Sequence, residues 1–160
     1  MLSLRASLNQ IPLFTSLSPA ELDAIFDVAN ARELAATEVL FEENDPADAL
    51  WVVLAGDLEI SKATVVLAEV GPGAAIGELS LFLSTSKGSA TARAICPATL
   101  LRIPANALRR MTAANDLAAL KLVNNLAHQM AERLSALNER LLSNSEGLTV
   151  ARSELRRLVF

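Results

Sequence analysis

Residues 71–94, with the sequence GPGAAIGELSLFLSTSKGSATARA, contain more turn-forming residues than a core strand needs. Residues 71–73 (GPG) predict a turn, because proline presets φ at one turn position and glycine allows positive φ beside it. Residues 77–82 (GELSLF) then predict a short helix, whose first N–H groups have no partner inside the helix and face any negative group placed there. These residues suit capture of an anion, but taken alone they favour a hairpin with a polar loop.

The second half of this stretch is rich in hydroxyl groups. Residues 84–89 (STSKGS) offer the hydroxyls of Ser84, Thr85 and Ser86, the cation of Lys87 and the bare backbone of Gly88, which suits a loop that wraps an anion. Glu78, at the opening of the helix, cannot bind phosphate because like charges repel. It can accept a hydrogen bond from a sugar hydroxyl, so the residues together predict a site for a sugar phosphate.

Three segments, residues 71–73, 77–79 and 89–94, resemble the phosphate-binding cassette of the cyclic-nucleotide-binding domain family. In that family a glutamate takes the ribose 2′-hydroxyl, an arginine neutralises the cyclic phosphate, and the following Ser or Ala adds a phosphate contact. The resemblance implies Glu78 for the ribose and Ser89 for the phosphate. The arginine position falls on Gly88, and the neighbouring Lys87 can replace only part of a bidentate guanidinium contact.

The resemblance also implies a ligand set and an effector. The effector would be cAMP or cGMP, with no fixed cofactor. The ligand set comprises Gly77, Glu78, Leu79, Ser80, Lys87, Gly88, Ser89, Ala90 and, from the C-terminal helix, Asn138, whose alternative role is that of a solvated flanking residue.

The remaining composition is that of a globular protein. The chain has 160 residues, of which 52% are hydrophobic and 20% charged, and its net charge is −4. Residues 1–101 carry 5 basic and 13 acidic side chains, which argues against direct nucleic-acid contact. The single cysteine, Cys96, and the lack of an apolar run of about 20 residues predict a cytoplasmic protein with no membrane segment.

The pattern outside the cassette predicts a mainly β fold with flanking helices. Residues 1–30 form a lead-in and a helix, with Ser18, Pro19 and Glu21 as N-cap, first-turn proline and capping-box glutamate. From residue 31 to 104 short apolar runs alternate with turn signals, which indicates a sandwich or barrel. The resemblance implies a jelly-roll barrel. The predicted strands are residues 39–41, 50–54, 58–60, 65–70, 75–76, 90–94 and 99–103.

Residues 105–143 predict two helices, the second capped by Asn115 and Asp116. The second helix carries apolar residues at alternating spacings of three and four, which is typical of a coiled-coil seam. The resemblance implies a parallel homodimer through this helix. The alternative is a single helix packed on its own barrel, but Leu122 and Leu126 already supply a second apolar face for that packing. The seam comprises Leu120, Val123, Ala127, Met130, Leu134, Leu137 and Leu141. Residues 144–160 form a tail that either extends the helix or is broken from it at Asn144 and Gly147.

Known catalytic and metal-binding patterns are missing from the sequence, so we expect no enzymatic activity and no metal site. His128 is the single histidine and has no cysteine or acidic partner at ligand spacing. Residues 144–160 are too few for a helix-turn-helix. Three interpretations remain: a dimeric cyclic-nucleotide sensor, a dimerising protein-interaction module with a degenerate pocket, and a pocket for another anion.

Overall fold

The computed structural model describes residue 8, residues 10–82 and residues 87–159, with side chains described as far as residue 139. The chain divides into two compact units, Met1–Leu126 and Ala127–Phe160. The first unit contains all of the described strands and the shorter helices. The second unit is the continuation of the last helix.

Within the described ranges, eight strands form two antiparallel four-stranded sheets. The first sheet has the order β1-β8-β3-β6 and the second has the order β2-β7-β4-β5. The strands are β1 (Asn30–Leu34), β2 (Val39–Phe41), β3 (Ala49–Ala55), β4 (Leu58–Lys62), β5 (Val65–Val70), β6 (Ala75–Ile76), β7 (Thr91–Ala94) and β8 (Ala98–Pro104).

The two sheets pack face to face through a shared apolar cluster. Its buried members come from both sheets: Leu34, Val53, Leu58, Ile76, Ala92, Ala94, Ala98 and Leu100. The prediction of a mainly β fold with flanking helices is therefore confirmed. Its architecture is a β-sandwich, because the described strands do not close into the predicted barrel.

The first strand is absent from the sequence prediction. Four of the five residues of β1 are exposed and only Leu34 is buried, so this strand lacks the apolar run by which the others were predicted. It is held instead by pairing with β8, from Asn30 opposite Arg102 to Leu34 opposite Ala98. Pairing with a neighbouring strand, rather than its own pattern, defines β1.

Four helices flank the sandwich in the described part of the chain. They are α1 (Pro19–Phe26), α2 (Leu79–Phe82), α3 (Ala105–Ala113) and α4 (Leu117–Val159), and a 3₁₀ turn at Pro12–Phe14 precedes them. The capping box of α1 is confirmed, because Glu21 N–H donates to Ser18 Oγ at 3.3 Å and Ser18 N–H donates to Glu21 Oε2 at 2.7 Å.

The long helix α4 begins after a defined cap. Asp116 Oδ1 accepts a hydrogen bond from Ala119 N–H at 3.1 Å, and Asn115 has a φ of 58°. Leu122 and Leu126 are fully buried in the first unit. The helix continues through Asn144 and Gly147 to Val159, so neither residue ends it. Across the described chain, no helix combines the length and apolar character needed to span a membrane.

Glu21 also ties α1 to the first turns of α4. Lys121 Nζ donates to both carboxylate oxygens of Glu21 at 2.8 Å. The hydrogen bond from Lys121, followed by that from Ser18 N–H, lowers the pKa of Glu21 below its ordinary value. The capping glutamate therefore joins two helices that are far apart in sequence.

We expect Glu21→Gln to lower the melting temperature by a few degrees near neutral pH. A glutamate with a lowered folded-state pKa adds stability above its unfolded-state pKa, and that stability is lost as the pH falls through the folded-state pKa. The difference from wild type should therefore shrink in acid, below both pKa values. Melting curves near neutral pH and in acid, below both pKa values, test this. Glu33→Gln on the exposed strand β1 is the control. An equal difference at both pH values would contradict the assignment.

Candidate functional site

The candidate site begins where β6 ends. Ile76, the last residue of β6, lies opposite Trp51 of β3. Gly77 follows with a φ of 76°, and a Cβ built at this position would lie 2.7 Å from the carbonyl oxygen of Ala49. Glycine is required here because an L side chain would be strained in φ and would meet the backbone of β3. This turn places Glu78 directly before helix α2.

Helix α2 is a single turn that is stabilised by hydrogen bonds of its buried residue, Ser80. Ser80 is 1% exposed, and its N–H and its hydroxyl donate to the carbonyl oxygen of Gly77 at 3.1 and 2.7 Å. Nη2 of Arg109, on α3, donates to the carbonyl oxygen of Ser80. Leu79 and Phe82 are 37% and 46% exposed. The predicted helix start at Gly77 and Glu78 is therefore a hydrogen-bonded turn, followed by two exposed apolar side chains.

Gly88 lies against the turn between β2 and β3. Its N–H donates to the carbonyl oxygen of Asp45 at 2.8 Å, and its carbonyl oxygen accepts from Asn44 N–H at 2.9 Å. The backbone of the neighbouring Lys87 pairs with that of Pro46 in an antiparallel β-bridge outside the named strands. The backbone groups of Gly88 are thus already paired, so the N–H of Gly88 is engaged within the protein, in contrast to the bare backbone expected from the sequence.

Two side chains of the loop are available for a ligand. Lys87 is exposed and forms no ion pair with any residue that the structure describes. Ser89 is exposed, and its hydroxyl has no hydrogen-bond partner within the same described ranges. Ala90 is half-buried and leads into β7. Residues 87–90, the part of the loop that the structure describes, therefore present one cation and one hydroxyl where the sequence predicts phosphate contacts.

Other predicted contacts stay predictions. Ser84, Thr85 and Ser86 lie outside the described residues, so their predicted hydroxyl contacts stay predictions. Asn138 belongs to the second unit, where its side chain is exposed, and its assignment to the base also stays a prediction. The seam residues Leu120, Leu134 and Leu137 are exposed by 39%, 59% and 52%, and the side chain of Leu141 is not described.

Sequence analysis missed the residues that support the first half of the site. Arg109 contacts Ser80 from 29 positions away. Trp51 Cδ1 lies 3.5 Å from the Cβ position of Gly77, and Arg102 lies over the Trp51 ring at 5.8 Å while pairing with Asp48 at 2.6 Å. The strand pattern gives no sign of these contacts, because each joins elements that meet only in the fold.

The residue types of the site are suited to hydrogen bonding and to pairing of charges. Glu78 offers a carboxylate for hydroxyl donors, and Lys87 and Ser89 offer a cation and a hydroxyl for an acidic group. In the part of the chain with described side chains, no three His, Cys, Asp or Glu residues converge to hold a metal ion.

A family model and several solved structures match this chain. The model, described as the cyclic nucleotide-binding domain, matches residues 31–115, more than half of the chain. A candidate cyclic nucleotide-binding protein from Geobacter metallireducens is 30% identical with a TM-score of 0.70, and the match covers 79% of this chain and 95% of that one. The catabolite activator protein of Thermus thermophilus is 29% identical with a TM-score of 0.67, covering 82% of this chain and 63% of that one.

The curated relatives are longer proteins. A cyclic nucleotide-gated potassium channel of Mesorhizobium japonicum is 37% identical over 93 residues, which make up 58% of this chain and 25% of the channel. Glutaminase 2 of Bradyrhizobium diazoefficiens is 28% identical over 135 residues, which make up 84% of this chain and 21% of that protein. The chain therefore spans about a quarter or less of the length of these relatives.

Proposed function

The chain belongs to the cyclic nucleotide-binding domain family, and from this premise we propose that it is a regulatory domain that binds a cyclic nucleotide at residues 77–90. Glu78 takes the ribose 2′-hydroxyl, and Lys87 and Ser89 take the cyclic phosphate. The turn at Gly77, which places Glu78 at the start of α2, is the observation that carries this proposal. Its physical basis is that a rigid turn fixes a carboxylate before the ligand arrives.

Regulation in this proposal passes through α4. The effector is cAMP or cGMP, and the protein is a homodimer joined by the exposed seam of that helix. The output reaches a protein partner or a further domain, because the chain spans only part of its curated relatives and one of them is an ion channel. We further propose a cytoplasmic domain without catalytic activity of its own and without direct contact to nucleic acid.

The alternative is a dimerising protein-interaction module with a degenerate pocket. Gly88 favours it, because glycine stands where the family cassette has the arginine that neutralises the phosphate. Both backbone groups of Gly88 are already hydrogen-bonded, so the N–H of Gly88 does not replace the missing side chain. The contribution of Lys87 to nucleotide binding then distinguishes the two functions, because Lys87 is the remaining cation near the phosphate position.

A thermal-shift measurement with millimolar cAMP or cGMP tests the proposal. A ligand at a hundred times its dissociation constant stabilises the folded state by ~2.7 kcal/mol, which raises the melting temperature of a domain of this size by several degrees. We expect one nucleotide to give such a shift in wild type and a much smaller one in Lys87→Gln. Arg110→Gln is the control, because Arg110 is an exposed cation on α3, outside residues 77–90. No shift with either nucleotide would favour the interaction module.

A further inference from the structure

The end of helix α2 depends on a donor from another helix. Because α2 is one turn long, the carbonyl groups at its end have no partner within the helix. Nη2 of Arg109 donates to the carbonyl oxygen of Ser80. Ser80 is 1% exposed, so water cannot easily replace this donor. The guanidinium of Arg109 therefore satisfies a carbonyl group that the protein encloses.

Arg109 reaches this carbonyl group from a fixed position. Helix α3 starts where Ala105 N–H donates to the carbonyl oxygen of Asp48 at 2.8 Å, and Ala105 and Leu108 are buried. Helix α2 contacts both α3 and β3. The next residue, Arg110, is also exposed, and the structure gives its side chain no partner among the residues that it describes. Arg109 and Arg110 thus carry the same charge and lie on the same helix, but they make different contacts.

We propose that Arg109 is a positioning residue for Glu78. Gly77 is held on one side, because it directly follows Ile76, which pairs with Trp51 of β3, and Ser80 is held on the other side by Arg109. Glu78 lies on the short segment between these two points. This inference rests on the proposed function, since it takes Glu78 to be the group that meets the ribose.

The first test does not need a ligand. Amide hydrogen exchange is measured in Arg109→Met and in the control Arg110→Met. The informative amides are those of Ser80 and Leu81, which donate to Gly77 and Glu78 at 3.1 and 3.0 Å. We expect these two amides to exchange about tenfold faster in Arg109→Met, because the end of α2 opens locally. Amides of the paired strands β3 and β8 should keep their protection and show that the variant is folded.

The second test reads the position of Glu78 through ligand selectivity. The affinities for cAMP and for 2′-deoxy-cAMP are compared by calorimetry in wild type, Arg109→Met, Arg109→Lys and Glu78→Gln. We expect wild type to prefer cAMP and Arg109→Met to lose most of this preference, as Glu78→Gln does. Arg109→Lys should restore part of it, since lysine keeps the charge without the planar fork. A role in stability alone would weaken both ligands equally and leave the preference unchanged.

The outcomes separate this inference from the proposed function. If wild type binds no cyclic nucleotide, the proposed function fails and hydrogen exchange alone decides about Arg109. If Ser80 and Leu81 exchange at the same rate in Arg109→Met and Arg110→Met, Arg109 does not position the segment, whatever the protein binds. An unchanged preference for cAMP over its 2′-deoxy analogue in Arg109→Met would likewise overturn the inference.

Discussion

Gly88→Arg is expected to raise the affinity for cAMP or cGMP by about ten- to a hundredfold for each charge-assisted hydrogen bond that it makes to the phosphate. The backbone of Gly88 can carry a side chain, because its φ lies outside the left-handed region that favours glycine. The new Cβ would lie 3.3 Å from the carbonyl oxygen of Glu42, which has to yield by a few tenths of an ångström. The substitution therefore adds the guanidinium at a small structural cost.

Calorimetry with both nucleotides measures this effect, and Gly88→Gln is the matched control. Glutamine meets the same Glu42 carbonyl group through its Cβ but carries no charge, so the difference between the two variants isolates the guanidinium. The carbonyl oxygens of Asp45 and Ala90 lie 3.6 and 3.7 Å from the same Cβ position, which is ordinary van der Waals contact. If neither variant binds either nucleotide, the pocket is not shaped for a cyclic nucleotide. The interaction module would then become the better interpretation.

Contacts between residues close in the sequence were predicted, whereas contacts between residues far apart in the sequence were missed. The capping box of α1 joins residues three positions apart, and it was predicted with the correct roles. The ion pair of Glu21 with Lys121 spans 100 positions and has no local signature, so the second role of the same glutamate was missed. Local patterns thus define the ends of the helices, whereas contacts between distant helices emerge only in the fold.

The same distinction applies to the strands and the candidate site. β1 was missed because its exposed residues carry no apolar pattern, although β8 pairs with all of it. The turn at residues 71–73 could be predicted, because glycine and proline are local turn signals. The pairing of the Gly88 backbone with Asn44 and Asp45 could not, since it depends on how two separate turns meet.

Leu134→Asp is expected to convert the protein from dimer to monomer. In the second unit, described by itself, all side chains from residue 131 to 139 are exposed, and Leu134 and Leu137 are exposed by 59% and 52%. A leucine that becomes buried in an interface contributes about 1.5–3 kcal/mol, and an unpaired carboxylate in the same place costs more than that contribution. In a symmetric dimer the substitution acts twice, once from each helix.

Sedimentation velocity at micromolar concentration measures this change, with Ser135→Asp as the control. Ser135 is the next residue, also exposed and outside the predicted seam, so it adds the same charge to another face of the helix. We expect Ser135→Asp to sediment as the wild-type dimer and Leu134→Asp to sediment as a monomer. Wild type should also melt at a temperature that rises with protein concentration, because association stabilises the folded state by mass action, and Leu134→Asp should lose this dependence. Identical sedimentation of the wild type and Leu134→Asp would contradict dimerisation through this helix, and regulation would then have to leave the domain by another surface.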